Sequence, residues 1–243
     1  MNKENTARSI KAAEQLAVLI PYLPVKALVD LVMIGNDACH TALAGSNPVK
    51  APVSAGLAEI AEEPVILHLL ANPNAAIAPF SYIRMIERFT ISEPVLGAIE
   101  TRKNITEDVW AALASARLKA IVDMIEDKST PDVVEQAVIA LLWASEGEVR
   151  QAYIAAFIRF ACVTPKLISV ALSNDAFDVV ADLLSELSGE VPAVISGILS
   201  RSDGVAFREV LKRAGFPVAI IIECEAAFLH ATAKPTSTFS VAA

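Results

Sequence analysis

The chain has 243 residues, of which 54% are apolar but only 6% aromatic, with 9 glycines. That length suffices to bury a large core, and a surplus of Ala, Leu, Ile and Val over aromatics and glycine favours packed helices over a β-sandwich or barrel. Twenty Lys and Arg against 28 Asp and Glu leave a net charge of −8, which repels phosphate backbones and disfavours nucleic acid as a partner.

The first segment, MNKENTARSIKAAEQ, carries charges of both signs ahead of the first apolar run, unlike a signal peptide. Ala17 to Ile34 is the most apolar window, but Pro21, Pro24, Lys26 and Asp30 interrupt it. A span needs roughly 18 uninterrupted apolar residues, so none is expected. Cys39, Cys162 and Cys224 are odd in number and far apart. They do not form the dense framework of a secreted scaffold, and a cytoplasmic location is expected.

Pro24, Pro64, Pro94, Pro131, Pro165 and Pro192 each open an apolar segment, at intervals of 40, 30, 37, 34 and 27 residues. Glu63-Pro64, Thr130-Pro131 and Thr164-Pro165 put proline in a first helical turn, where no backbone donor is lost. Three of the segments share a tail: Leu67 to Leu70 before Asn72, Ile168 to Leu172 before Asn174, and Ile195 to Leu199 before Asp203. The polar residue there is expected to cap or turn into the next helix. Apolar stripes of helical period run through Val134, Val138, Leu141 and Leu142, through Phe177, Val180, Ala181 and Leu184, and through Phe207, Val210, Leu211 and Ala214. Val138 to Trp143 is apolar on its other side too, which predicts neighbours on two sides, as in stacked repeats. Gly189 and Gly215 read as left-handed helix stops. The pattern predicts about sixteen helices joined by short turns. It suggests an all-α fold, a single α-solenoid of stacked helical hairpins over 1–231, HEAT-like with degenerate repeats. Residues 232–243 lose the periodicity and read as a disordered tail.

Leu69 to Thr106, LLANPNAAIAPFSYIRMIERFTISEPVLGAIETRKNIT, resembles the alphaproteobacterial domain-of-unknown-function family 2336. The similarity is carried by Leu69, Leu70, Asn72, Pro73, Ile77, Ile86, Leu96, Arg102 and Ile105. Gly204 to Pro217, GVAFREVLKRAGFP, is similar to the C-terminal helix of that family. The resemblance implies a helical-repeat fold and brings no activity with it. The start of the chain lacks the Asp-Pro-x-x-x-Val-Arg repeats that similar proteins carry.

Signals for chemistry are sparse. The glycines are scattered singly, with no phosphate-cradling pattern, and H-E-x-x-H, paired C-x-x-C and G-x-S-x-G do not occur. An enzyme is disfavoured, and no metal or cofactor is expected. Cys39 and His40 are adjacent and so point about 100° apart on a helix, with no second pair at ligand spacing. Glu223 and His230 lie two turns apart near Cys224, as an acid–base pair or as ordinary helix surface. His68 lies inside an apolar run, in the core or in a groove. Arg84 and Arg88, one turn apart, and Arg208 and Lys212, with Arg201 and Arg213 nearby, form either a patch for an acidic partner or solvated helix surface with local pairing. Arg102 stands at a hairpin junction, where a guanidinium can bond the carbonyls that end a helix.

The expected function is a non-enzymatic module that presents a groove to a protein or peptide partner. The alternative is a ligand-binding protein or enzyme with a pocket between hairpins. Val218 to Ile222 are consecutive aliphatics that surround their helix instead of forming one stripe. The C-terminal helix, about Pro217 to Leu229, is therefore expected to be covered. A second copy in a homodimer, another partner, or the chain's own tail or preceding hairpin would each suffice. Ile221 is the contact residue of the dimer reading. The candidate interaction surface is thus Arg84, Arg88, Arg208, Lys212 and Ile221.

Overall fold

A computed structural model of the chain describes residues 15–124, 132–160 and 162–233. Helical residues 15–19 run into a short 3-10 turn, Ile20–Tyr22. Fourteen α-helices follow among the described residues. They are α1 Val25–Ile34, α2 Asp37–Ala44, α3 Ala51–Ile60, α4 Glu63–Ala71, α5 Pro79–Arg88, α6 Glu93–Glu100, α7 Glu107–Met124, α8 Val133–Ala144, α9 Gly147–Arg159, α10 Pro165–Ser173, α11 Phe177–Ser188, α12 Pro192–Ser200, α13 Gly204–Arg213 and α14 Val218–Ala233. No strand occurs among the described residues, where an isolated parallel bridge joins Val49 to Ala75. The fold class is all-α, as the periodicity predicts.

Proline opens α3, α4, α5, α6, α10 and α12 at the first or second position, where its fixed φ is already helical. Thr164 caps α10 through the Leu167 N–H, and Asp203 caps α13 through that of Ala206. Asn72 and Asn174 instead end their own helices, and the Asn174 amide turns back to the Val170 carbonyl. Gly189 and Gly215 adopt positive φ at helix ends, as expected. The helix start at Pro131 lies outside the described residues, as do residues 234–243. Helix α14 runs to Ala233, two residues into the segment read as tail.

Sequence periodicity suggests one domain, but contacts group the chain into two compact units, Met1–Ala116 and Arg117–Ala243. The division falls inside α7.

In the first unit α1 packs on α3 and α3 on α5, while α2 packs on α4 and α4 on α6. Each odd helix also touches the even helix that follows it. Val32, Leu43, Leu57, Ile66, Leu69, Met85, Leu96 and Ile99 are buried between these helices. In the second unit α10 packs on α8, and α9 packs on α11, which packs on α13. Helix α12 lies against α11 and α13. The broadest contact of α10 is with α14. Ile221, Cys224, Phe228 and Ala231 recur at intervals of three and four and are all buried. The Phe228 ring lies 4.5 Å from that of Phe207 on α13.

This placement corrects one sequence expectation. Ile221 is only 3% exposed and belongs to the core of its own unit. Of the aliphatic run only Ile221 is buried and Ile220 half-buried, while Val218, Ala219 and Ile222 stay exposed.

Candidate functional site

The most developed polar arrangement lies in the first unit, at the ends of α2, α4 and α6. A helix leaves its last carbonyls without intrahelical donors, and its C-terminus carries partial negative charge. Asn72, just past α4, donates its amide to the carbonyls of Ala44 (2.9 Å) and Ser46 (2.8 Å) at the end of α2. Its own side-chain oxygen accepts the Asn74 N–H at 3.0 Å, which sets the turn. Arg102, just past α6, repeats the arrangement one hairpin later. Its guanidinium donates to the carbonyls of Leu70 (3.2 Å), Asn72 (2.8 Å) and Ala75 (3.1 Å), and to the Tyr82 hydroxyl at 3.2 Å. Arg88, ending α5, does the same for α3, bonding Ala58 O at 2.7 Å and Ala61 O at 2.9 Å. In each case the acceptor lies 26 to 32 residues earlier. Gly45 belongs to the same corner, because a Cβ there would come within 2.6 Å of the His68 ring.

Beside the Arg102 guanidinium an open hollow of about 690 Å³ is lined by Pro73, Ala76, Ile77, Tyr82, Lys103 and Asn104, among others. Lys103 is exposed and forms no ion pair among the described residues, and Asn104 stands at φ 61°. Sequence reasoning missed Tyr82, Lys103 and Asn104. The available signal was the polar break Arg102-Lys103-Asn104 between two periodic segments. A second hollow, of about 760 Å³ and also open, lies in the second unit against Glu146, Glu148, Arg150, Gln151 and Asp182. There Arg150 bonds the Ser145 carbonyl at 2.8 Å and reaches Asp178 and Asp182 at 3.0 and 3.2 Å.

The basic residues singled out in the sequence do not form one free patch. Arg84 is paired with Glu59 at 2.8 Å and Glu87 at 3.1 Å, and these bonds, with Glu59 the larger cause, raise its pKa further. Arg88 is turned to the α3 carbonyls. Arg208 makes a two-pronged pair with Glu225, Lys212 pairs with Glu209, and Arg213 with Glu190. Arg201 bonds the carbonyl of Gly197. Each cation is spent within its own unit, so the patch expectation gives way to local pairing, and Ile221 drops out by burial.

Cys39 and His40 diverge, as expected of neighbours on a helix. His40 is buried and its Nε2 donates to the Val32 carbonyl at 2.8 Å, while burial pushes the Cys39 thiol up. The Cys224 thiol is pushed up to about 11, by burial first and by Glu223 second. A thiol held protonated at neutral pH is a poor nucleophile and a poor metal ligand. Glu223 and His230 are both exposed on α14. Among the described residues no three His, Cys, Asp or Glu side chains gather at metal-binding distances, and no helix is long and apolar enough to cross a membrane.

Helices tied through side chains to the carbonyl ends of earlier helices define an all-α protein. Residues 20–238 match the model of the bacterial family described as "Uncharacterised protein conserved in bacteria (DUF2336)", and the chain belongs to that family. Asn72, Pro73 and Arg102, which carry the resemblance in sequence, lie in or beside the carbonyl-binding corner. No curated protein and no solved structure matches the chain.

Proposed function

We propose that the chain is a non-enzymatic interaction module, a cytoplasmic α-solenoid of HEAT-like hairpins with degenerate repeats that binds a protein or peptide partner. The observation that carries this reading is the regular alternation in the first unit, where odd helices pack on odd and even on even. Side chains at the ends of α4, α5 and α6 bond the carbonyls that end α2, α3 and α4. Such stacking fixes a rigid surface without assembling reactive groups, which is how helical repeats present binding faces. The hollow beside Arg102 suits an extended segment. It offers the Pro73 and Ile77 side chains, one cation at Lys103 and the Tyr82 ring in a shallow, open depression. An acidic segment fits it better than a basic one.

The test is affinity capture from the bacterial cell with the wild-type chain and with Lys103→Glu, an exposed change that leaves folding intact. A discrete protein retained by the first and lost by the second supports the module. Equal recovery with both, or no specific partner, overturns it. The second reading, a ligand-binding protein or enzyme with a pocket between hairpins, draws on the volumes of the two hollows, which fall within the range of small-molecule sites. A rise in melting temperature with a small metabolite, abolished by Lys103→Glu or by Gln151→Trp, would favour it instead.

A further inference from the structure

Helix α14 carries two rows of apolar residues. The first, Ile221, Cys224, Phe228 and Ala231, is buried against α10 and α13. The second, Ala219, Ile222, Ala226, Leu229 and Ala233, recurs at intervals of 3, 4, 3 and 4 and is exposed along its whole length. At about 100° per residue it runs on roughly the opposite side of the helix from the first. Ile222 is 60% exposed and Leu229 48%, with Val218, 72% exposed, at the start of the row. No charged residue interrupts it. Val205 of α13 is also exposed, and it follows Gly204, which lies against the Leu229 side chain.

A 3-4 spacing is the seam of a two-helix coiled coil. We infer that this seam is filled by the α14 of a second copy, running antiparallel across a twofold axis midway between Ala226 and Leu229. Two features of the row select that occupant.

The first is the alternation of small and large side chains. With the axis there, Ala226 of one helix lies across from Leu229 of the other and Ala233 across from Ile222, so these layers each hold one small and one large group. A parallel pair stacks alanine on alanine and leaves those layers thin.

The second is charge. Glu223 and His230 occupy one edge of the seam, and Glu225 with Thr232 the other. Antiparallel pairing about that axis sets each edge against its own copy in reverse order. Glu223 then meets the partner's His230 and His230 meets the partner's Glu223, a complementary contact made twice by symmetry. On the remaining edge the Glu225 carboxylate is already neutralised by Arg208, whose guanidinium holds it at 2.6 to 2.9 Å. The edge therefore approaches its copy without an unpaired charge.

The experiment is light scattering coupled to size exclusion on the full chain, with helicity followed by circular dichroism. The wild-type protein is expected to move from the 25.8 kDa of one chain to twice that mass as its concentration rises. A particle that stays at one chain mass up to about 100 micromolar overturns the proposal. Ile222→Lys and Leu229→Lys alter exposed positions, so helicity stays unchanged while dissociation rises by at least about thirtyfold. A dimer indifferent to both would be built on another surface, and the inference fails. Glu223→Lys and His230→Glu are each expected to weaken the dimer about tenfold, and the double exchange to restore it. A double variant as weak as the worse single one refutes the antiparallel pairing.

Discussion

The two units tie helix to helix with different chemistry. In the first, besides the Arg84–Glu59 ion pair, the long-range bonds of Asn72, Arg88 and Arg102 run from a side chain to backbone carbonyls. In the second, the links between helices are ion pairs: Lys166 of α10 with Asp132 and Glu135, Arg150 of α9 with Asp178 and Asp182, Arg208 of α13 with Glu225, and Arg213 with Glu190. The burial differs as well, because the second unit closes by laying α14 back on α10 while the first continues its alternation. A carbonyl is a fixed, uncharged acceptor that neither acid nor salt removes. A carboxylate partner loses its charge in acid, and an exposed one such as Asp178 is also weakened by salt. The first unit should therefore hold its register over a wide range of conditions, and the second should rely on its apolar closure.

Removing that closure gives the largest expected effect. Phe228→Ala empties a fully buried ring site beside Phe207 and should cost about 3–5 kcal/mol, measured by urea unfolding. Ile221→Glu should unfold the second unit outright, since it places a carboxylate in the core. Arg102→Ala comes next, at about 2–3 kcal/mol, because three backbone carbonyls lose a charged donor at once. Arg102→Lys should recover less than half of the loss, as an ammonium cannot span the same fork. If the comparison is right, Phe228→Ala and Arg102→Ala move different parts of the unfolding curve, or protect different amides in hydrogen exchange. Identical effects on both units would break it. Arg208→Ala should cost no more than about 1 kcal/mol and nothing measurable in 1 M salt, whereas the Arg102 penalty should persist there.

The smallest effect is on pH. Because the Cys224 thiol is raised to about 11 in the fold, its contribution to stability is fully present below the unfolded thiol value. It is lost as pH rises toward about 11, so unfolding of the second unit should become easier across that alkaline window. At neutral pH a thiol reagent should label the exposed Cys162 well before Cys224, as mass spectrometry of the labelled chain would record.

Helix boundaries were legible where a residue acts on its own backbone. Pro64, Pro94, Pro165 and Pro192 opened helices, Gly189 and Gly215 closed them, and Thr164 and Asp203 capped them, because these effects are local. Arg102 could be assigned to carbonyls from its place after a helix. Arg88 could not, since a cation one turn from Arg84 reads equally as surface. The side of α14 that faces inward was not legible either: five consecutive aliphatics carry no phase. Only the later Cys224, Phe228 and Ala231 fix which row lies against α10. The division of the chain within α7 left no mark, for Glu107 to Met124 is a continuous helical pattern.

The bonds made by Asn72, Arg88 and Arg102 bear on how such a chain can change over time. Each link has a donor that the genetic text specifies and an acceptor that any amino acid supplies. Substitutions at Ala44, Ala58, Leu70 or Ala75 leave the acceptor atom in place, so those positions drift under packing constraints alone, and only the donor is held. Links of this kind would let the sequence change while the spacing between helices is kept. Relatives too distant to align by composition should still carry a guanidinium or amide about one hairpin beyond each helix end.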